Sequence, residues 1–101
     1  MVEKGYEVVW TKRSQKQMRQ VFKHISKDST KNASKVVLDI ADAVHKAIAN
    51  PEVYAPDKYK SDNDGSYRAF EKHHYRVAYR FTNNIIRVLR VRHTKMEPLE
   101  Y

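Results

Sequence analysis

Residues 75–93 run Tyr75-Arg76-Val77-Ala78-Tyr79-Arg80-Phe81-Thr82-Asn83-Asn84-Ile85-Ile86-Arg87-Val88-Leu89-Arg90-Val91-Arg92-His93. On both sides of Asn83-Asn84, large apolar side chains alternate with polar or small ones. A period of two marks half-buried strands, so His74–Thr82 and Ile85–His93 read as a pair. Asparagine tolerates the positive φ that a two-residue hairpin turn needs. If Asn83-Asn84 is the whole turn, Thr82 pairs with Ile85, Arg80 with Arg87, Arg76 with Val91 and His74 with His93. Tyr75, Val77, Tyr79, Phe81, Ile86 and Val88 then share one face suited to a core. The opposite face carries His74, Arg76, Arg80, Arg87 and His93, spaced by Ala78, Leu89 and Val91. A register one residue off would bury the arginines, and the reading rejects it.

Working outward, Tyr67–Glu71 adds a third strand, reached through the turn-rich stretch Pro51–Ser66 with its Asp62-Asn63-Asp64-Gly65. Further upstream the period becomes helical. Ala33, Val37, Ile40, Ala41, Val44 and Ile48 hold one helix, which Asn50-Pro51 is expected to end. Met18, Val21, Phe22 and Ile25 hold another, capped by Thr11 or Ser14 and broken at Asp28-Ser29-Thr30. Tyr6–Trp10 reads as a short first strand. The order is β-α-α-β-β-β, an α+β fold with a helical hairpin packed on a small antiparallel sheet. At 101 residues the chain suits one domain over 1–101.

Composition narrows the class. There are two Gly and three Pro, too few for a linker-like chain, and the absence of Cys removes disulfides and thiolate chemistry. No apolar run is long enough to cross a bilayer, and Met1-Val2-Glu3-Lys4 lacks a leader pattern. The expectation is a soluble cytoplasmic protein with no membrane partner. Its net charge of +8 and sequence pI near 9.8 suit an acidic partner, either nucleic acid or protein. On the first helix Lys12, Lys16, Arg19, Lys23 and Lys27 recur within an arc of roughly 80°, opposite the apolar stripe. Such an arc is either a plain solvated face or a seat for phosphates or carboxylates.

The sheet face is more pointed. Arg80 directly across from Arg87 is unfavourable unless something anionic comes between them. Metal-free RNA cleavage needs a base for the 2′-OH, a cation for the phosphate and an acid for the leaving oxygen. Histidine titrates near neutrality and arginine forks onto phosphate, so the converging residues fit that chemistry. His93 and His74 would then move protons while Arg76 and Arg80 hold the phosphate. No cofactor is called for, and no metal: His73-His74 would point to opposite faces of a strand.

The strand motif Tyr75-Arg76-Val77-Ala78-Tyr79-Arg80, the polar turn Asn83-Asn84 and the aliphatic strand Ile85–His93 resemble the RelE/ParE superfamily of bacterial type II toxins. Lys58-Tyr59-Lys60 followed by Tyr67-Arg68 is similar to its entry into the sheet. The element order is also that family's arrangement, so the resemblance covers nearly the whole chain. It implies a toxin neutralised by a cognate acidic antitoxin. RelE-like members cleave mRNA on the ribosome, and ParE-like members inhibit DNA gyrase without being nucleases. In the nuclease branch Arg76 matches the arginine on the scissile phosphate, and His93 the strand-end histidine used as acid or base. Arg80, Arg87, Arg68, His74, Lys58 and Lys60 would grip the RNA backbone. The expectation is an endoribonuclease acting on ribosome-bound mRNA, with gyrase inhibition as the alternative.

Overall fold

The computed structural model describes residues 6–96, 100 and 101. Met1-Val2-Glu3-Lys4, read as lacking a leader, lies outside them. The elements are β1 Glu7–Trp10, α1 Lys12–Ser26, α2 Thr30–His45, β2 Tyr67–Lys72, β3 Tyr75–Thr82 and β4 Ile85–His93. Both helices begin at side-chain caps. Thr11 accepts from the Ser14 N–H at 3.1 Å and Ser29 from the Asn32 N–H at 3.0 Å. Pro51 does not set the end of α2. The helix stops at His45, and Lys46–Ala49 continues as a turn that still buries Ala47 completely.

The strand order is β1-β4-β3-β2. Strands β2, β3 and β4 form the expected antiparallel meander, and β1 joins the β4 edge in parallel, so the sheet is mixed. The helical hairpin covers one face. Val21, Val36, Ile40 and Val44 pack there against Tyr75, Val77, Tyr79, Ile86, Val88 and Val91. Burying each such side chain is worth about 1.5–3 kcal/mol. On the outer edge, residues 55–57 run along β2, with the Asp57 N–H donating to the Tyr67 carbonyl at 2.8 Å and the Ala69 N–H to Ala55 at 3.2 Å. That loop shields what would otherwise be a bare strand edge.

The hairpin register holds for only half its length. Thr82 pairs with Ile85, Arg80 with Arg87 and Tyr79 with Val88, but a β-bulge then intervenes and Ala78 pairs with Arg90. Leu89 is the extra residue. Beyond it Val77 faces Val91, Arg76 faces Arg92 and Tyr75 faces His93. The expected pairs Arg76–Val91 and His74–His93 therefore do not form. His74 is not in a strand either. His73 and His74 make the β2–β3 turn, with φ of 51° and 68°.

Candidate functional site

The bulge redistributes the functional side chains. Cross-strand partners point to one face, so Arg76 and Arg92 stay on the face away from the helices, together with Ala78 and Arg90. Val91 and His93 move to the helix side with Val77 and Tyr75. The structure thus puts Arg76 and His93, the expected catalytic pair, on opposite faces of the sheet. His93 instead lies edge-on to Tyr75, ring centroids 5.2 Å apart, and parallel to His74 at 6.4 Å. Its Nδ1 accepts from the Lys95 N–H at 3.0 Å, which leaves Nε2 to carry the ring proton.

The arginine face is not bare. Asp57 is buried at its centre, with its side chain wholly covered. Its Oδ1 accepts from Arg76 at 2.8 Å and from the Tyr59 N–H at 3.1 Å, while Oδ2 accepts from the Tyr101 hydroxyl at 2.7 Å. Burial pushes this carboxyl upward, but the bonds from Arg76, Tyr101 and Tyr59 outweigh it and hold the group below the ordinary aspartate value. Arg76 also reaches Glu71 at 3.2 Å and lies 4.7 Å over the Tyr59 ring. Its Nε–H, also buried, has no acceptor among the described residues.

Tyrosines form a roof over the remaining cations. Arg90, itself buried, stacks 4.1 Å from the Tyr101 ring, and burial lowers its pKa from the usual arginine value. Arg80 stacks 4.7 Å over Tyr67 and donates to Ser66, with Asp64 at 4.0 Å. Lys60 lies 4.7 Å over Tyr67 and 5.5 Å over Tyr101. The Tyr101 backbone is tied down by its N–H to Tyr59 at 3.0 Å and its carbonyl to Ser61 at 2.6 Å. Burial, then the nearby Asp57 carboxylate, drives the Tyr101 hydroxyl pKa up. The anions expected between Arg80 and Arg87 are therefore supplied in part from within, by Asp64 beside Arg80.

The other expected residues scatter. Arg87 is exposed opposite Arg80, and Lys58 is exposed beside the Tyr59 ring at 5.2 Å. Arg68 sits at the helix-facing edge, donating to Gly65 at 2.8 Å and Tyr54 at 3.1 Å, so it pins the loop. Asp57, Tyr59, Arg90 and Tyr101 were not singled out as site residues. The only local signal was the alternation of lysine and tyrosine in Lys58-Tyr59-Lys60. Among the described residues no group of three or more His, Cys, Asp or Glu could hold a metal, and no helix is long and apolar enough to cross a membrane.

Comparison with known proteins places this architecture. Residues 8–98 match the family model for the ParE toxin of the parDE type II toxin-antitoxin system. The chain belongs to the ParE toxin family. Among solved structures it is similar to a chain of the chromosomal ParDE toxin-antitoxin system of P. aeruginosa. That match has 18% identity and a TM-score of 0.71, covering 89% of this chain and 97% of the other. It is also similar to a chain of the RelBE2 toxin-antitoxin complex of Mycobacterium tuberculosis. Here identity is 16% and the TM-score 0.59, over 88% of this chain and 98% of that one. At these identities the two structures support the shared fold. No curated protein matches the chain.

Proposed function

We propose that this ParE-family toxin arrests growth by binding and blocking a macromolecular target, DNA gyrase in the reading offered by the family resemblance, and that a cognate acidic antitoxin neutralises it. One observation carries the choice. The Leu89 bulge sends His93 to the helix side while Arg76 stays on the other, tied to Asp57 and Glu71. Proton transfer at a phosphate needs acid, base and cation within hydrogen-bond reach of one group. A binder needs only a shaped, charged surface, and a rigid arginine-tyrosine face is one. Either target would place the toxin in the cytoplasm.

The expected endoribonuclease makes the opposite forecast, so one experiment separates the two. The toxin is induced without its antitoxin, and both plasmid supercoiling and mRNA cleavage on translating ribosomes are followed. Loss of supercoiling activity with intact transcripts supports the binder. Codon-phased mRNA cuts that vanish in Arg76→Ala and His93→Gln, with both variants folded, would restore the nuclease. A preorganised cation lost from such a centre typically costs on the order of 10²–10³ in rate.

A further inference from the structure

Positive charge on this molecule is met in two different ways. On the arginine face, Asp57, Asp64, Glu71 and the tyrosines answer Arg76 and Arg80 from within, and on α2 Asp39 answers Lys35 at 3.1 Å. Helix α1 has no such answer. It contains no acidic residue, not even in its first turn, where the positive end of the helix dipole would favour one. Lys12, Arg13, Lys16, Arg19, Lys23 and Lys27 are all exposed, and among the described residues no carboxylate lies within ion-pairing distance of them.

This arrangement works against the helix that carries it. Lys12 and Lys16, Arg19 and Lys23, and Lys23 and Lys27 are like-charge pairs one turn apart, and such pairs destabilise a helix. At about 100° per residue the row lies opposite Ser14 and Val21, the buried residues of α1, so it points away from the core. Its flanks are Arg13, Gln15, Gln20 and His24, all exposed, so about half of the helix circumference carries neither an apolar nor an acidic side chain. From Lys12 to Lys27 the row is about 22 Å long, over which one strand of duplex DNA presents about six phosphates.

We propose that the outer face of α1 seats the phosphate backbone of duplex DNA, so that the toxin grips the DNA on which its proposed target acts; the choice of duplex DNA rests on that reading. Composition selects phosphate over protein. Lysine is depleted from protein–protein interfaces, whose cores are apolar and aromatic, whereas lysine, arginine and glutamine are common partners of phosphate oxygens. The arc also holds no aromatic ring on which an unpaired base could stack, so a duplex fits it better than a single strand. Phosphates set along the row would turn its internal repulsion into attraction and release counterions from the DNA. Helix α1 and the arginine face lie on opposite sides of the sheet, so a toxin holding DNA through α1 keeps that face free for its protein target.

The probe is a fluorescein-labelled duplex of about 20 base pairs, titrated with the full chain in the absence of gyrase between about 50 and 200 mM salt. Anisotropy reads the affinity, and ¹⁵N–¹H spectra locate the contact. The controls are a single strand of the same length and a poly-glutamate peptide of equal charge. The expected result is saturable duplex binding that perturbs Lys12–Lys27 and weakens a few hundred-fold over that salt range, the dependence of about five phosphate contacts. The double variant Lys16→Gln, Lys23→Gln, checked for folding by circular dichroism, should lower the slope of log K against log salt by about 1.8. Lys46→Gln with Lys72→Gln, which removes the same charge from exposed positions elsewhere, should leave the slope nearly unchanged. Equal slopes for the two double variants would reduce the effect to net charge and overturn the site. Tighter binding of poly-glutamate or of the single strand at α1 would replace the duplex as partner. Shifts confined to the Arg76–Arg80 face, or no saturation, would remove α1 from DNA binding. With gyrase absent, such a failure leaves gyrase inhibition standing, whereas unchanged supercoiling in induced cells would sink that reading alone.

Discussion

The β3–β4 hairpin has two halves separated by Leu89, and they behave differently. In the half next to Asn83-Asn84, the pairs Thr82–Ile85 and Arg80–Arg87 follow directly from counting outward from the turn. In the far half every β4 residue has moved by one, so Val91 joins the core and Arg90 and Arg92 join the arginine face. A single unpaired residue thus exchanged the faces of a valine, a histidine and two arginines. Side-chain alternation is informative about faces only as far as the register is unbroken.

The sharpest way to break that comparison is Val91→Asp. With the bulge in place Val91 is buried beside Val77 on the helix side, so the substitution buries an unpaired carboxylate. The expected loss is about 3–5 kcal/mol, enough to abolish a cooperative thermal transition by circular dichroism. A Val91→Asp variant with near-native stability would show that the far half keeps the uninterrupted register, with Val91 outside.

Asp57 tests whether the far half is held by its buried carboxylate. In Asp57→Ala, Arg76 and the Tyr101 hydroxyl lose their shared acceptor, with an expected cost of about 3 kcal/mol in urea unfolding. Because the folded carboxyl sits below its unfolded value of about 3.9, its contribution is present in full above that pH. It fades as pH falls through the lower, folded value. Wild type should therefore lose stability on acidification below about pH 4 more steeply than Asp57→Ala. Parallel acid profiles would mean that Asp57 is not tied to Arg76.

The near half leans instead on β1 and the start of α1. Thr11→Ala removes the cap on the Ser14 N–H and is expected to cost about 1 kcal/mol, read as a shift in urea midpoint. No change would place the start of the helix under tertiary control alone.

The smallest effect compares the two turns. Asn83 and Asn84 take φ of 50° and 62°, and His73 and His74 take 51° and 68°. Asparagine suits that region, whereas histidine at positive φ is less usual. His74→Gly should raise stability by roughly 0.5–1 kcal/mol, while Asn84→Gly should change it less. Equal gains would show that the histidine turn carries no extra strain.

Much of the fold was legible because its signals are local. A cap at Thr11 or Ser14, the break at Asp28-Ser29-Thr30, the Asn-Asn turn and the helical spacing of Val21, Ile25, Ile40 and Val44 each involve residues a few positions apart. The parallel pairing of β1 with β4 was not, since nothing near Glu7–Trp10 names a partner some eighty residues away. The site was the least legible part. Arg76 lies on the face away from the helices, as its alternation implies, but its partner Asp57 sits in a loop whose turn residues and lysines give no sign of a buried carboxylate. Tyr101 reaches the same carboxylate from the far end of the chain.

The sequence by itself determined the element order, the core face of the near hairpin and a basic surface without acidic residues on α1. These follow from the periods of strand and helix and from charge, all carried by neighbouring residues. Only the tertiary structure decided where the hairpin slips, that Asp57 and three tyrosines answer the arginines, and that none of the described carboxylates reaches the cations of α1. Each depends on which distant groups meet in three dimensions, and a buried charge or an unanswered one acquires its meaning only from that meeting.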